Sequence, residues 1–425
     1  MNLLKSYKSS LILLSSVIIG GLVGAIVGPK ASIVEPLGDL FLNLMFMIIV
    51  PLVFFSVTSA IGNMVSMKRL GKILAAIFIV FTSTALLTAV ISFIGALIMN
   101  PTNGIDTSAI KALMSKAAEG TQSTEKVGFL KQLVNTFTVS DFISLFSRKN
   151  MLQLIVFSVG LGSAIAMVKE KAQPLAKFLD AGASVMMKLV DIIMYYAPIG
   201  LGCYFASVVG QLGPQILQGY LKSFLLYLIL TVVVYLGLFT LYAFIAGGKK
   251  GIKIFWENAI TPSITALATC SSAACIPVNL EYVKKMGVTK DIAETVIPLG
   301  ANTHKDGSVI GGVLKVTFLF GLFGYSMTDL KSALSIIFTA FLVGAVMGAI
   351  PGGGMIGEML IISVYGFPPE VLPIIAVIST IIDAPATLLN STGNTVCSML
   401  VTRMVEGRLK FAKILASEAG LSEPA

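Results

Sequence analysis

Long apolar runs separated by short polar segments occupy the first half of the chain. A helix that spans a bilayer needs about 20 apolar residues, and each run of that length is therefore predicted to be such a helix. The runs lie near residues 10–28, 38–63, 73–99, 150–168, 179–209 and 222–247. The first is longer than the roughly 7–15 apolar residues of a cleaved signal peptide, so we expect it to remain as the first membrane span.

The pattern changes after Gly251. Two stretches, at 258–279 and 345–359, interrupt apolar sequence with Ser, Thr, Pro or Gly, and each precedes an apolar helix that carries polar residues, at 302–308 and 383–394. Irregular backbone at membrane depth is tolerated only inside protein or beside a water-filled cavity. A hairpin followed by a broken helix, occurring twice, is typical of transporters built from repeats. Two re-entrant loops of purely structural purpose are the alternative.

Composition also places the chain in a membrane. Hydrophobic residues make up 56% of it and charged residues only 12%, with a mean hydropathy of +0.92, whereas soluble domains average roughly 25% charged residues. The net charge is +9, and basic residues gather in three loops that alternate spans place on one side, at 68–72, 169–177 and 249–253. Basic loops mark the cytoplasmic side. We therefore expect cytoplasmic N- and C-termini in a cell (inner) membrane, and no nucleic-acid partner.

Four ionisable residues lie in the middle of the last two apolar helices: His304, Lys305, Asp306 and Asp383. A Lys or Asp at the bilayer centre costs roughly 2.5–3.5 kcal/mol on insertion scales, so such residues are expected to face a cavity or to pair. Lys305 and Asp306 could form a structural ion pair, but neighbours along a helix face different directions, so that pair requires an unwound helix. His304, the only histidine, is either a satisfied hydrogen-bonding group or a proton carrier.

Other reactive side chains carry less information. The four cysteines fall in apolar segments and form neither a disulfide framework nor a metal-ligand spacing. No cofactor is therefore expected, apart from a coupling ion (proton or sodium). Lys315 and Glu358 are expected near the ends of their segments, where no role is assigned to them.

The chain resembles the glutamate transporter family of dicarboxylate and amino acid:cation symporters. The resemblance starts with LMFMIIVPLVFFSVTSAI at 44–61 and extends to the eighth span. ATCSSAACIPV at 268–278 looks like the serine-rich tip of the family's first re-entrant hairpin, and PLGANTHKDGS at 298–308 like its Asn-Met-Asp-Gly-Thr segment. AIPGGG at 349–354 is similar to the Pro-Gly tip of the second hairpin, and DAPATLLNSTGN at 383–394 to the eighth-helix binding stretch. All four motifs in order make a specific match.

The resemblance implies an all-α integral membrane protein with eight transmembrane helices and two re-entrant helical hairpins, arranged as inverted repeats. It also implies a homotrimer in which a transport domain moves like an elevator against a fixed scaffold. The implied segments are scaffold helices 1 and 2, transport-domain helix 3, an extracellular loop, scaffold helices 4 and 5, and the transport-domain core. Their expected boundaries are 1–72, 73–100, 101–149, 150–220 and 221–425.

The resemblance also assigns substrate contacts. Asp383 matches the aspartate that holds the substrate amino group, and Asn390 the asparagine that holds its α-carboxylate. Carboxylate–ammonium pairing and carboxylate binding at helix N-termini both agree with these roles. The further implied contacts are Ser271, Ser272, Ser308, Gly352, Gly353, Ala386 and Thr387.

The expected substrate follows from two missing arginines. Members with acidic substrates have an arginine three residues after the amine-binding aspartate, where this chain has Ala386, or at the first hairpin tip, where it has Cys270. A guanidinium is what pairs bidentately with a side-chain carboxylate. A small neutral amino acid such as serine, alanine or threonine is therefore favoured. The alternative is proton- or cation-coupled transport of an acidic amino acid or dicarboxylate that binds Lys305.

The cation sites depart from the family pattern as well. The family's asparagine is His304 here, its methionine is Lys305, and a sodium-binding aspartate is Asn394. An ammonium in such a site removes a ligand and repels sodium, so sodium coupling is expected to be weakened or lost. Transport is then either proton-coupled or uncoupled, with Lys305 as a permanent internal cation. The residues expected to bind a coupling ion, or to replace it, are Thr84, Asn302, His304, Lys305, Asp306 and Asn394.

Two other function classes fit the sequence less well. An ion channel needs a continuous polar stripe, whereas the polar residues here concentrate in one patch. A membrane-embedded hydrolase needs a nucleophile with a base; Ser271 or Ser272 with His304 offers no evident third partner. The expected partners are therefore a small-molecule substrate and the lipid bilayer, and an enzyme is not expected.

Overall fold

The computed structural model describes residues 3–62, 68–103, 134, 138–147, 150–212, 215–347, 353–368 and 371–407. Throughout these residues the regular elements are helices, as the apolar runs predict. The α-helices, numbered in chain order, are α1 Leu3–Val27, α2 Glu35–Gly62, α3 Lys68–Met99, α4 Met151–Val168, α5 Gln173–Met194, α6 Ala197–Leu212, α7 Gln215–Val232, α8 Phe239–Thr269, α9 Ser272–Lys285, α10 Lys290–Thr303, α11 Asp306–Phe323, α12 Leu330–Val346, α13 Gly353–Tyr365 and α14 Leu372–Glu406.

Local sequence signals mark the start of two of these helices. Ser271 precedes α9 in an extended conformation, and its side chain accepts a hydrogen bond from the backbone N–H of Ala274. Asp329 caps α12 in the same way, and the backbone N–H of Ser332 holds the pKa of this carboxyl below its ordinary value. Such caps satisfy amide groups that the first helical turn leaves without partners. They fix where each helix begins.

The structure corrects one predicted span. The run at 179–209 is two helices, α5 and α6, which meet at Tyr195 and Tyr196. Pro198 lies in the first turn of α6, and a proline has no N–H to continue the preceding helix. The apolar pattern indicated one buried stretch but not this break.

Five helical stretches of the described residues are long and apolar enough to cross a bilayer. They are Ser15–Phe41, Gly71–Met99, Ile216–Thr269, Lys290–Phe323 and Ile374–Glu406. The run near 222–247 is thus part of a longer stretch, which bends at Gly247 and Gly248, where the backbone angles are not helical. The count of eight spans stays a prediction.

The helices pack as two groups. In the first group, α1, α2, α4, α5 and α6 contact one another. Small residues permit the closest approach: a Cβ on Gly20 or Gly24 of α1 would strike carbonyl oxygens of α6. Close packing of this kind is what small residues allow in membrane proteins.

The second group consists of α3 and the helices from α7 to α14. Helix α11 runs through it, and almost every residue from Asp306 to Phe323 is buried. The stretch Lys290–Phe323 is accordingly far more buried than the other four long apolar stretches. The polar residues singled out in the sequence therefore lie in the interior of this group.

Candidate functional site

A break between α10 and α11 is the centre of the site. Helix α10 ends at Thr303, and His304 has an extended and Lys305 a non-helical backbone conformation before α11 begins at Asp306. The Tyr227 hydroxyl of α7 donates a hydrogen bond to the carbonyl of Gly307 at 2.9 Å. The chain is therefore unwound at His304 and Lys305, directly before Asp306.

Helix α14 crosses this break at very short range. A Cβ on Gly307 would collide with the backbone of Ala386, so only glycine fits where the start of α11 packs against α14. The contact brings the polar stretch of α14 beside the N-terminus of α11. Two of the sequence-predicted segments, 302–308 and 383–394, therefore form one site.

His304 lies at the heart of a buried hydrogen-bonded cluster. Its side chain is 1% exposed. Nδ1 lies 3.0 Å from Oδ1 of Asn394, and Nε2 lies 2.9 Å from Oγ1 of Thr84 and 3.5 Å from Oδ1 of Asp306. Three helices, α3, α11 and α14, thus meet around one imidazole.

The orientation of Asn394 assigns the proton on Nδ1. The Asn394 Nδ2 group donates to the carbonyl oxygens of Asn390 at 2.7 Å and His304 at 3.4 Å. Its Oδ1 is therefore the atom that faces the imidazole, and Nδ1 must donate to it. The opposite ring nitrogen, Nε2, faces the Thr84 hydroxyl and the Asp306 carboxylate.

Phe81 and Thr88, both on α3, complete the surroundings. The Phe81 ring stacks on the imidazole at a centroid distance of 4.3 Å. The Thr88 hydroxyl donates to Oδ1 of Asp306 at 3.2 Å. Oδ2 of Asp306 is buried and has no hydrogen-bond partner in the part of the chain that the structure describes. Neither Phe81 nor Thr88 was predicted from the sequence. The available signal was the spacing of Thr84 and Thr88, which are one helical turn apart.

Asn390 and Ser308 hold α14 to the start of α11. Asn390 Oδ1 accepts from the backbone N–H of Ser308 at 3.2 Å, and Asn390 Nδ2 donates to the Ser308 hydroxyl at 3.2 Å. An amide nitrogen has two hydrogens, so one remains for a ligand. This geometry suits the carboxylate-binding role that the family resemblance gives to Asn390.

Lys305 and Asp383 bring opposite charges to the other side of the break. The side chain of Lys305 is buried, whereas Asp383 is exposed. The two groups interact electrostatically across α11 and α14. The nearby residues Ala386 and Thr387 are buried on α14. The site thus combines a buried basic side chain with an exposed carboxylate that interact electrostatically, and Ala386 and Thr387 lie about one helical turn after Asp383.

Other predicted contacts lie around this centre or outside it. Ser271 and Ser272 form the start of α9, after the left-handed Cys270, and Asn279 of α9 donates to the Ser391 hydroxyl at 2.9 Å. Asn302 is exposed and donates to the carbonyl of Pro298 at 3.0 Å. The remaining two are Gly353, which begins α13, and Gly352, which lies outside the described residues.

Lys315 and Glu358 do not lie near the ends of their segments, and this expectation is wrong. Both are buried in the middle of their helices, α11 and α13, and they form an ion pair with each other at 3.1 Å. Each looks unpaired from its local sequence because its partner is distant along the chain.

Comparison with known proteins agrees with this architecture. The sequence model of the Sodium:dicarboxylate symporter family matches residues 10–404. A proton/sodium-glutamate symport protein of Bacillus caldotenax is 29% identical over 395 residues, which cover 91% of this chain and 92% of the relative. C4-dicarboxylate transport protein 1 of Ralstonia nicotianae is 28% identical over 423 residues, covering 96% and 95%. A proton/glutamate-aspartate symporter of Bacillus subtilis is 26% identical over 401 residues, covering 92% and 93%.

These relatives bear on the expected substrate. The names of all three refer to acidic solutes, glutamate, aspartate or C4-dicarboxylates. They give no support to the neutral amino acid favoured by the missing arginines, and they fit the acidic alternative better. The match over almost the whole chain shows that this protein belongs to the Sodium:dicarboxylate symporter family, which consists of secondary transporters and not of enzymes.

Proposed function

We propose that this protein is a proton-coupled symporter of an acidic amino acid, glutamate or aspartate. The observation that carries the proposal is the buried Lys305 side chain at the break between α10 and α11, which interacts electrostatically with Asp383. The neutral-substrate expectation rested on the absence of a guanidinium. Lys305, at the break before α11, supplies a positive charge instead, although an ammonium acts as a point charge and not as a bidentate group.

An acidic amino acid matches the charges of the site. Asp383 would bind the substrate ammonium, and Lys305 would bind the side-chain carboxylate, since charge-assisted hydrogen bonds are the strong ones. The remaining Nδ2 hydrogen of Asn390 and the amides at the start of α11 would bind the α-carboxylate. Each charged group of the substrate then has a partner of opposite sign or a hydrogen-bond donor.

A C4-dicarboxylate fits less well than an amino acid. It has no ammonium to pair with Asp383, so a carboxylate of the substrate would lie near a carboxylate of the protein. Like charges in a poorly solvated site disfavour each other. Asp383 therefore favours a substrate that carries an amine.

His304 is proposed as the site of the coupling proton. When the Thr84 hydroxyl donates to the Val80 carbonyl, at 2.8 Å, its oxygen can accept only from a protonated Nε2. The imidazole then donates from both nitrogens and is cationic, with Asp306 as its counter-ion. When Nε2 loses the proton, rotation of the Thr84 hydroxyl lets it donate to the ring. Both protonation states are satisfied without moving a helix.

Charge balance also favours a proton. An acidic amino acid carries one net negative charge at neutral pH, and one proton on His304 offsets it. The loaded and the empty protein then carry the same charge, which limits the energy of moving charge through a medium of low dielectric constant. Sodium is disfavoured because Lys305 and Asn394 bring a positive charge and an uncharged amide to positions that resemble the family's cation sites.

The family resemblance supports further proposals about assembly and movement. We infer a homotrimer in a cell (inner) membrane with cytoplasmic termini. The first helix group would form the fixed scaffold, and the second, which contains the site, would move as the transport domain in an elevator mechanism.

The experiment is uptake of labelled glutamate, aspartate, succinate and serine into proteoliposomes, with proton and sodium gradients imposed separately. Glutamate or aspartate uptake driven by an inward proton gradient is expected, with little added effect of sodium. Preferential serine uptake would show that the substrate is neutral and contradict the proposal. Preferential succinate uptake would exclude the amine contact with Asp383. Channel-like flux without accumulation against a gradient would exclude symport altogether.

A further inference from the structure

A second cluster of buried charges lies outside the site described above. Nζ of Lys315 on α11 lies 3.1 Å from Oε1 of Glu358 on α13, and the two side chains are 2% and 1% exposed. The Ser379 hydroxyl of α14 donates to the same Oε1 atom. One carboxylate oxygen therefore ties α13 to two other helices.

The cluster lies close to the substrate-binding residues along each helix. Ser379 precedes Asp383 by four residues and Lys315 follows Ser308 by seven, and these spacings put each pair on one helix face. Gly353, the first residue of α13, is five residues before Glu358, which is about 7.5 Å along a helix. Whatever fixes Glu358 thus also fixes where the N-terminus of α13 lies.

Packing alone does not require charges at these positions. Glu358 is surrounded on its own helix by the buried apolar residues Ile356, Met359, Leu360 and Ile361. An apolar pair of similar volume is often as stable as a buried ion pair or more stable. The charged pair adds direction, because a carboxylate must meet its donors at one separation and angle, whereas apolar side chains slide.

The carboxylate is also incompletely satisfied. Glu358 Oε2 is buried and finds no hydrogen-bond partner among the residues described by the structure. A network built only for stability would be expected to use both oxygens. The arrangement holds α13 in place through one atom, Glu358 Oε1. The hydrogen bonds from Lys315 and Ser379 to this atom can therefore form and break together.

We propose that Lys315, Glu358 and Ser379 form a latch that positions α13 against α11 and α14 when substrate is bound. Glu358 and Lys315 are positioning residues: they do not touch the substrate, but they set the place of the α13 N-terminus relative to the binding residues of α11 and α14. The inference goes beyond the proposed substrate and coupling, and it holds for whichever solute the protein transports.

The test compares single and double variants in proteoliposomes, using the solute that the wild type accumulates. Glu358→Gln and Lys315→Met are each expected to raise the apparent KM by about tenfold or more, because each removes a charge-assisted bond of the latch. The double variant Lys315→Met/Glu358→Met removes both charges and leaves no unpaired ion. It should fold, yet keep the raised KM, because methionine packs without fixing the helix position. Ser379→Ala is expected to raise the KM less than either single variant.

The exposed pair Lys285 and Glu281, 2.7 Å apart on α9, provides a matched control. Its double variant Lys285→Met/Glu281→Met is expected to keep the wild-type KM. A wild-type KM in the Lys315→Met/Glu358→Met protein would overturn the latch and leave only a packing role. If the single variants fail to fold, the double variant and Ser379→Ala decide between these outcomes. Because the assay uses the solute that is actually transported, an error in the proposed substrate leaves this test intact.

Discussion

Two buried charge clusters in the same helix group are built in different ways. Around His304, each ring nitrogen has a neutral hydrogen-bond partner, Asp306 lies 3.5 Å from Nε2, and Thr84 can accept or donate. Around Glu358, a fixed ammonium and one hydroxyl meet a single carboxylate oxygen. In the first arrangement both ring nitrogens keep a hydrogen-bond partner with or without a proton on Nε2, because the Thr84 hydroxyl can turn from the Val80 carbonyl to the ring. The second cannot lose either charge without leaving a buried ion unpaired, so it suits holding a position and not carrying a proton.

The largest expected effect is on stability at the second cluster. Lys315→Met leaves the Glu358 carboxylate buried without its counter-ion, and breaking a buried pair in this way typically costs about 3–5 kcal/mol. The thermal unfolding midpoint of the detergent-purified protein should fall clearly. Lys253→Met, at an exposed lysine 3.8 Å from Glu257, is the matched control and should leave the midpoint unchanged. A Lys315→Met protein with the wild-type unfolding midpoint would mean that Glu358 is already uncharged. The Glu358 cluster would then not be a fixed ion pair, and the contrast with the His304 cluster would not hold.

Asp383→Asn is expected to have the next largest effect. It removes the partner of the substrate ammonium, and hydrogen bonds to charged groups are worth about 1.5–3 kcal/mol, roughly a 10- to 150-fold loss of affinity. Calorimetric binding of glutamate measures this directly. Normal affinity in a folded Asp383→Asn protein would contradict the assignment of the amine-binding group.

His304→Gln sharpens the contrast between the clusters. Glutamine retains a donor for Asn394 but cannot become cationic, so uptake should lose its dependence on the proton gradient while glutamate exchange across the membrane continues. Uptake against imposed pH gradients, with exchange measured in parallel, separates the two effects. Proton-driven accumulation that persists in this variant would move the coupling proton to another group.

Lys305→Met is expected to have the smallest effect of the four. It removes a point charge that contacts the side-chain carboxylate, so glutamate affinity should fall by about tenfold, the lower end for a charged hydrogen bond. Serine affinity should change less, because serine has no second carboxylate. Sodium dependence should not return in full, since His304 and Asn394 remain. Equal losses for both solutes, or binding that becomes strongly sodium-dependent, would contradict this role.

Particular residues show how far the sequence could predict the site. The break at His304 and Lys305 and the polar face of α14 follow from motifs whose glycines and polar residues are local signals. The meeting of Lys305 with Asp383 is less visible, because it depends on how α14 crosses Gly307. The relatives' names favour the acidic alternative that involves Lys305 over the neutral substrate that the absence of arginines suggested.

The missed features depend on the packing of distant segments. Phe81 and Thr88 look like ordinary residues of an apolar helix until α3 packs against His304. Lys315 and Glu358 are 43 residues apart, and neither has a partner within its own helix turn. The division of 179–209 into two helices was more accessible, since Pro198 is a local signal.

Proton movement across the membrane is the most direct test of proton coupling at His304. Proteoliposomes that contain a pH-sensitive dye are placed in sodium-free buffer, and glutamate is added outside. If His304 carries the coupling proton, the lumen acidifies as glutamate enters. The His304→Gln protein is expected to produce no such acidification. Glutamate uptake that leaves the luminal pH unchanged and begins only when sodium is added would contradict proton coupling at His304.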